Sequence, residues 1–241
     1  MNGKTILIVG ATSSLAQIIS RSLAAKGYRL ILAGRDPKEL ELMAGDLTTR
    51  FSTPCQTLVA DFMEADFSPS QFMGQAGEYN GVIIATGDMG SGDTTSLYNL
   101  AYAVHINYTL PAQIATLAAR YLSEKKQGSI VIISSVAGDR GRQSNYAYGS
   151  AKAALTSFAS GLRNRFYKSG VRVMTVKPGF IDTPMTWGMK SSLIASREYV
   201  AEKIILAMER KRDVIYVPWF WQDIMLIICT IPEWLFKRMK L

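Results

Sequence analysis

The chain has 241 residues, of which 48% are hydrophobic and 19% charged. This composition excludes a disordered polypeptide, and the length is sufficient to bury a sizeable core. The formal net charge of +8 indicates an anionic partner such as nucleic acid, a membrane surface or a phosphorylated ligand, although basic residues can also serve solubility alone.

Short apolar runs alternate with helix-like stretches along the whole chain. The runs predict strands at Thr5–Val9, Arg29–Ala33, Gln56–Val59, Gly81–Ala85, Ser129–Ile133 and Val171–Val176. Helices are predicted at Ser14–Lys26, Pro37–Phe51, Tyr108–Lys126, Tyr148–Ser169 and Arg197–Arg210. Near-continuous apolar strands are typical of a parallel sheet covered on both faces. We therefore predict an α/β Rossmann fold with a doubly wound sheet of about seven strands at residues 1–217, followed by an apolar and basic extension at residues 218–241.

Ligands in such folds bind beyond the carboxyl ends of the strands, so we expect the functional residues in the segments that follow the strands. The first strand is followed by Gly10 and the start of a helix, where backbone amides and the helix dipole favour a pyrophosphate. The usual fingerprint has three glycines. Here Ser14 and Ala16 occupy the other two positions, and both are small enough for close approach.

The second strand ends in Gly34 and Arg35, where NAD-binding folds usually carry an acid that binds the ribose. A guanidinium suits the 2′-phosphate of NADP, which an acid would repel. We therefore expect NADP(H) in preference to NAD(H), with a surface arginine as the alternative.

The most specific pattern is Ser135 after the fifth strand, followed 13 residues later by Tyr148 and then Lys152. Tyr148 and Lys152 are four residues apart at a helix start, so they lie on one face. A nearby ammonium favours the phenolate, and we expect Lys152 to lower the pKa of Tyr148.

These features together resemble the short-chain dehydrogenase/reductase family over essentially the whole chain. The resemblance implies an NAD(P)-dependent oxidoreductase acting on CH–OH or C=O groups and no metal. The catalytic residues it implies are Asn107, Ser135, Tyr148 and Lys152. With Arg35, the cofactor-binding residues are Gly10, Thr12, Ser13, Ser14, Leu15, Asp61, Phe62, Ala85, Thr86, Gly87, Tyr148, Lys152, Pro178, Gly179, Ile181 and Thr183.

The resemblance also implies individual roles. Asp61 matches an acid that contacts adenine, and Asn107 matches an asparagine that supports a proton-relay water. Ile181 and Thr183 match residues near the nicotinamide carboxamide. The chain departs from the family pattern in its reduced glycine loop and in Ala85, which stands where the family has asparagine. For the single histidine, His105, we expect a structural role.

The C-terminal segment Trp219–Leu241 holds three of the four tryptophans, an apolar run and several basic residues. Pro218 and Pro232 bracket a short predicted helix, and the apolar run is too short to span a membrane. Aromatic and basic residues suit the membrane surface, but packing in an oligomer and a lid over the substrate remain open. Arg140 and Arg142 either bind a substrate phosphate or lie in a solvated loop.

Two regions, from Asn107 onward and at the C-terminus, resemble members of the family that reduce a ketosugar carried on a polyprenyl phosphate. This implies a hydrophobic or lipid-linked carbonyl substrate, such as a polyprenyl-phosphoryl 2-keto-pentose. Reduction of a soluble or fatty carbonyl compound, of 3-ketoacyl or ketosteroid type, is the alternative, and a non-catalytic nucleotide-binding scaffold is a third reading. We expect a homodimer or homotetramer, no nucleic acid, and a cytoplasmic location, in part on the inner face of the membrane. The absence of a signal-peptide pattern and two distant cysteines, Cys55 and Cys229, support that location.

Overall fold

The computed structural model describes residues 3–90, 96–189 and 191–239. The first two residues of the predicted 1–217 unit and the last two of the 218–241 segment lie outside the described residues. The described chain forms one seven-stranded sheet, in which every neighbouring pair is parallel and the order is β3-β2-β1-β4-β5-β6-β7. The strands are β1 (Thr5–Val9), β2 (Arg29–Gly34), β3 (Cys55–Val59), β4 (Gly81–Ile84), β5 (Gly128–Ile133), β6 (Val171–Pro178) and β7 (Val214–Val217).

Helices cover both faces of this sheet, which confirms the predicted Rossmann-like fold. They are α1 (Ser14–Ala25), α2 (Pro37–Phe51), α3 (Pro69–Gln75), α4 (Leu97–Val104), α5 (Leu110–Glu124), α6 (Tyr146–Phe166), α7 (Arg197–Glu209), α8 (Trp221–Thr230) and α9 (Glu233–Phe236). One core cluster joins the sheet to α1, α2 and α7, and a second joins the opposite face to α3, α5 and α6. Strands β1, β2, β4 and β6 are therefore buried on both sides, which is why their sequences are nearly continuous apolar runs, whereas the edge strand β3 is largely exposed.

The strand order reverses between β1 and β4, so the crevice at their carboxyl ends is the switch point at which such sheets bind ligands. Gly10 leaves β1 with a φ of +78°, and a Cβ at this position would lie 3.1 Å from the carbonyl carbon of Ala85, just after β4. Only glycine combines this backbone conformation with so close an approach. The single retained glycine of the loop is thus the one that the crevice requires.

Several elements were not predicted from the sequence. The helix α3 has only seven residues, and α4 exposes Leu97 and Tyr98, so neither shows a clear apolar stripe. The strand β7 has four residues and pairs on one side only, with β6. The predicted helix Tyr108–Lys126 begins later than expected, at Leu110, because His105–Thr109 forms a π-helical turn that joins α4 to α5.

The C-terminal segment folds as α8 and α9, joined at Pro232, which confirms the short helix expected between Pro218 and Pro232. Trp221 and Met225 on the inner side of α8 are buried, and they pack with Val136 and Phe180. Across the described ranges, no helix is both long enough and apolar enough to cross a membrane. The packing of Trp221 and Met225 holds α8 against the domain.

Candidate active site

The turn after β1 is built to present backbone amides to a ligand. Ser13 caps α1 by accepting a hydrogen bond from the Ala16 amide at 3.4 Å. The loop is anchored to β2, because the amides of Gly10 and Ala11 both donate hydrogen bonds to Ala33 O. Thr12, Ser14 and Leu15 complete the turn, and the free amides of the first helical turn make it a site for an anion.

The end of β2 lies beside this turn. Gly34 is buried, and a Cβ at its position would lie 3.5 Å from the Thr12 side chain. Arg35 follows directly and is exposed. Arg35 thus follows a residue that contacts the candidate phosphate loop, and its preference for a 2′-phosphate stays a prediction.

The residues after β3 are in different environments. Asp61 accepts a hydrogen bond from the Met63 amide at 2.9 Å, which orders its carboxylate at the surface. The ring of Phe62 packs edge-on against Phe67 and Phe72 in the core. Because that ring is committed to the core, Phe62 has only its main chain to offer a nucleotide. His105 lies 3.0 Å from Phe62 O through Nε2, in keeping with the expected structural role.

The segment after β4 lies between the cofactor crevice and the candidate catalytic residues. A Cβ on Gly87 would lie 3.1 Å from Lys152 Nζ and 3.2 Å from Asn107 Oδ1, so glycine leaves room for both groups. Thr86 accepts a hydrogen bond from Lys152 Nζ through its carbonyl at 3.3 Å. Its own Oγ1 is buried and has no hydrogen-bond partner among the described residues. Ala85 donates its amide to Val9 O at 2.9 Å, so the loop continues the pairing of β1 and β4.

Asn107 sits in the π-helical turn and is fully buried. Its Nδ2 donates to Asp88 O at 2.7 Å and to Ala103 O at 3.0 Å, and its Oδ1 accepts from the Asp88 amide at 3.1 Å. The side chain is therefore engaged in holding the loop after β4. A relay water at this position would have to use main-chain groups.

Ser135, Tyr148 and Lys152 come together at the carboxyl end of β5 and the start of α6. Ser135 lies close enough to Tyr148 to influence the pKa of its hydroxyl, and Ser135 Oγ accepts a hydrogen bond from the Ala137 amide at 3.1 Å. Lys152 is 2% exposed, its Nζ lies 5.7 Å from the centre of the Tyr148 ring, and it donates to Ile133 O at 3.1 Å.

The helix α6 is fixed tightly against β5 and its loop. Ser134 Oγ donates to Lys152 O at 3.1 Å, and a Cβ on Gly138 would lie 2.7 Å from the Ala153 amide nitrogen. Because α6 backbone touches the loop directly, the spacing between the serine and the tyrosine is set by packing as well as by chain length.

The prediction that Lys152 lowers the pKa of Tyr148 is not met in this structure. Burial raises the pKa of Tyr148 to about 12, while the hydrogen bond to Ser135 lowers it and the Asp88 carboxylate raises it. Burial also lowers the pKa of Lys152 to about 7. The cost of burying each charge outweighs their mutual attraction, so the neutral tyrosine is the stable form at neutral pH.

Asp88 is the residue at this site that the sequence analysis missed. It accepts a hydrogen bond from the Tyr102 hydroxyl at 2.9 Å and its backbone is held by Asn107, and its charge acts on Tyr148. Its position directly after Ala85-Thr86-Gly87 was the available signal.

The segment after β6 closes the other side of the crevice. Gly179 follows Pro178 and donates its amide to Val217 O at 3.0 Å. Ile181 is buried, and Thr183 begins a short turn that Thr186 closes by donating its hydroxyl to Ile181 O at 2.6 Å. The position of a Cβ on Gly179 lies only 1.9 Å from Trp221 Nε1, so the indole of α8 packs directly on this backbone.

Arg140 and Arg142 match neither predicted alternative, which were binding of a substrate phosphate and a place in a solvated loop. Arg140 Nη1 donates to Cys229 O at 3.0 Å and its Nη2 pairs with Glu233 at 2.7 Å, so it neither lies in a solvated loop nor is free for a phosphate. Arg142 Nη2 lies 3.3 Å from Met225 Sδ, and burial lowers the pKa of its guanidinium. Both arginines face the C-terminal segment.

A dinucleotide fits these residues on three grounds from the geometry. Gly10 keeps the switch-point crevice open, the α1 N-terminus presents free amides, and the buried Thr86 hydroxyl lacks a partner within the described part of the chain. The site can therefore hold an anionic nucleotide against a hydroxyl, a phenol and an amine.

Comparisons with known proteins agree with this arrangement. Residues 4–193 match the family model described as short chain dehydrogenase. An uncharacterized oxidoreductase of Streptomyces coelicolor is 32% identical, covering 98% of this chain and 96% of that protein. An uncharacterized oxidoreductase of Mycobacterium tuberculosis is 31% identical, covering 97% of this chain and 96% of its own length.

Two solved structures share the fold. A bulky-bulky ketone specific alcohol dehydrogenase from Comamonas testosteroni superposes with a TM-score of 0.82 at 21% identity, covering 97% of this chain and 96% of that chain. A short-chain dehydrogenase from Sphingobium yanoikuyae in complex with NADPH gives a TM-score of 0.82 at 20% identity, covering 95% and 97% of the two chains.

Proposed function

The chain belongs to the short-chain dehydrogenase/reductase family and is an NAD(P)-dependent oxidoreductase, and from this premise we propose that it uses NADPH to reduce the ketone of a hydrophobic or lipid-linked substrate. The observation that carries the proposal is the convergence of Ser135, Tyr148 and Lys152 at the switch-point crevice, where the buried Lys152 Nζ lies 5.7 Å from the centre of the Tyr148 ring. A non-catalytic scaffold would have no need of this constellation.

We propose the following roles in the reaction. When bound, the nicotinamide cofactor supplies a hydride to the ketone carbon. Tyr148 is protonated at neutral pH because its pKa is about 12, so it is in the form that gives a proton to the ketone oxygen. Ser135 donates a hydrogen bond to that oxygen and polarises the carbonyl. Lys152, whose pKa is about 7, stabilises the remaining phenolate when it takes up a proton.

The cofactor would be held by the residues lining the crevice. The α1 N-terminus with Gly10 to Leu15 would bind the pyrophosphate, Asp61 the adenine, and the Pro178–Thr183 segment the nicotinamide. We propose NADPH over NADH because Arg35 is exposed beside the phosphate loop and no acid occupies the end of β2. The NADPH complex of the Sphingobium yanoikuyae structure supports this choice.

The proposed substrate class rests on the walls of the site and on sequence likeness. Trp221, Met225 and Phe180 make the C-terminal side of the crevice apolar. The regions from Asn107 onward and at the C-terminus resemble the mycobacterial decaprenylphosphoryl-2-keto-ribose reductase, so a polyprenyl-phosphoryl 2-keto-pentose is the substrate that we propose. The bulky ketones named for the Comamonas testosteroni enzyme are consistent with an apolar substrate.

The outer side of the C-terminal segment supports work at a membrane surface. Trp219, Leu226, Ile227 and Trp234 are 61–70% exposed, and Lys237 and Arg238 beside them are exposed cations. Aromatic and aliphatic side chains at the headgroup level, with basic residues nearby, favour anionic lipid. We propose a cytoplasmic enzyme that reaches its substrate at the inner face of the membrane. Members of this family commonly form oligomers, and we propose a homodimer or homotetramer.

The activity is tested by following oxidation of NADPH with a panel of ketones that includes the polyprenyl-phosphoryl ketopentose, a 3-ketoacyl thioester and a ketosteroid. Tyr148→Phe should abolish turnover and retain NADPH binding, because the ring packing is kept and only the proton donor is lost. Retained turnover would refute the assigned role. A preference for the thioester or the steroid would replace the lipid-linked substrate.

The membrane contact is tested by sedimentation with anionic vesicles. The double variant Leu226→Gln with Ile227→Gln should lose association, whereas Leu42→Gln, which changes a 76% exposed leucine of α2, should keep it. If the first variant instead lowers the oligomeric mass and vesicles never bind the wild type, the outer face is an interface between subunits.

A further inference from the structure

Arg140 contacts the C-terminal segment, and these contacts cover the C-terminal end of α8. Its Nη1 donates to the carbonyl oxygens of Cys229 at 3.0 Å and Ile231 at 3.1 Å, which belong to the last turn and cap of the helix. Those carbonyls have no partner inside a helix and carry the negative end of its dipole, so a guanidinium stabilises them. Nη2 pairs with Glu233 at 2.7 Å, and the guanidinium lies 4.1 Å from the centre of the Phe236 ring.

The loop that carries Arg140 is itself held in place by hydrogen bonds. The preceding residue, Asp139, accepts hydrogen bonds from Lys177 at 2.5 Å and from the Tyr216 hydroxyl at 2.9 Å. The side chains of Lys177 and Asp139 are each 10% exposed, so the pair is shielded from water and geometrically well defined. Lys177 also precedes the Pro178–Gly179 pair. The loop that carries Arg140 is thus tied to β6 and β7 before it reaches the C-terminal segment.

The inner side of α8 lies over the residues that flank the reaction centre. Trp221 and Met225 pack with Val136, which follows Ser135, and with Phe180, which follows Gly179. The Trp221 and Phe180 rings meet edge to face at 5.1 Å. Trp221 Nε1 is buried against the Gly179 backbone and finds no acceptor in the part of the chain that the structure describes.

We propose that Arg140 is a positioning residue that latches α8 and α9 as a fixed roof over the catalytic loop, and that this roof selects bulky apolar ketones. The inference rests on the proposed function and deepens it by naming what sets substrate preference. Arg140 acts through Trp221 and Met225, which form the ceiling, and does not contact the substrate itself. The guanidinium fork is needed because it reaches two carbonyls and a carboxylate at once.

Loss of the Arg140 side chain should have two separable effects, one on the exposure of Trp221 and one on substrate preference. With Arg140→Ala, α8 loses its C-terminal partners, so Trp221 becomes accessible and the ceiling loosens. We expect KM for a long-chain apolar ketone to rise about tenfold or more relative to KM for a small water-soluble ketone, since several charge-assisted contacts are lost together. Arg140→Lys keeps the charge without the fork and should restore only part of the preference. Arg120→Ala, on the exposed side of α5, is the matched control and should change neither constant.

A measurement on the protein without substrate separates this inference from the proposed function. Of the four tryptophans, all of them within the described residues, only Trp221 is buried. Quenching of tryptophan fluorescence by acrylamide should therefore increase in Arg140→Ala, decrease again in Arg140→Lys, and stay at the wild-type value in Arg120→Ala.

The combined outcomes are decisive. If no ketone is turned over by the wild type, the proposed function fails, while the quenching result still tests the latch. If Arg140→Ala shows wild-type quenching, Arg140 does not hold the roof. If quenching increases but the KM values for large and small ketones change in parallel, the roof does not select the substrate.

Discussion

Gly179 gives a sharp test of the contact between α8 and the segment after β6. In Gly179→Ala the new methyl would lie 1.9, 2.1 and 2.4 Å from the Nε1, Cε2 and Cδ1 atoms of Trp221. A normal contact needs about 3.5 Å, so the indole must move by about 1.5 Å. Trp221 is 3% exposed and packs on Phe180, so it has no free direction in which to move. We expect the upper end of the usual cost of overpacking, about 3 kcal/mol in the free energy of unfolding.

The assay is urea denaturation of the purified variants, with NADPH oxidation measured in parallel. Gly161→Ala is the matched control, because the Cβ would enter open space in the middle of α6 and should stabilise by about 0.5–1 kcal/mol. In a Trp221→Leu background the smaller side chain leaves room, so Gly179→Ala should cost about 2 kcal/mol less there than alone. Strictly additive effects, or a Gly179→Ala protein as stable as the wild type, would refute the described packing.

Three further predictions concern charge. Burial lowers the folded-state pKa of Lys152 from 10.5 to about 7. Between these pH values the folded protein therefore binds fewer protons than the unfolded chain. The free energy of unfolding of the wild type, relative to that of Lys152→Met, should thus rise between pH 7 and pH 9 by about 1 kcal/mol per pH unit. Arg35→Ala should weaken NADPH binding at least tenfold and leave NADH binding nearly unchanged, as measured by fluorescence titration. Asp139→Asn should destabilise by about 3 kcal/mol or more, because it leaves Lys177 charged and buried.

The Asp139 prediction has a control variant, and each of the three has an outcome that would contradict it. Glu209→Gln breaks the exposed pair with Lys26, where the glutamate is 31% and the lysine 47% exposed, and should destabilise the protein far less than Asp139→Asn because water screens the pair. Equal costs for the Asp139 and Glu209 variants would remove the argument for a shielded pair. Parallel pH profiles of wild type and Lys152→Met would show that Lys152 is not buried as neutral amine, and equal loss of both nucleotides in Arg35→Ala would reject the 2′-phosphate assignment.

The parts of the fold that the sequence predicts are those encoded locally. Strands such as Ile6–Val9 are apolar because both faces are buried, and the position of Tyr148 and Lys152 on one helix face follows from their spacing. The short elements α3 and β7 were not predicted, because a seven-residue helix and a four-residue edge strand have too few positions to show a hydrophobic period.

The contacts that hold α8 and α9 could not be predicted from local sequence patterns, because they join residues that are distant in the sequence. Tyr216 lies 77 residues from Asp139, and Glu233 lies 93 residues from Arg140. Their meeting depends on β6 and β7 lying side by side with the loop after β5, which no local pattern reports. The same holds for the pKa of Tyr148, since the sequence indicates an amine neighbour but not the extent of burial that outweighs it.

The π-helical turn at His105–Thr109 has a consequence for how this site tolerates insertions and deletions. Such a turn takes one residue more than an α-helical turn, so it resets the rotational phase between the helices before and after it. Deletion of a single residue here would let α4 run into α5 as one regular helix, advancing whatever follows by about 100°. The sheet would be untouched, yet Asn107 would point away from the loop after β4. Deletion of one residue at this place would thus remove the contact of Asn107 with the loop after β4, although no residue of the site would be changed.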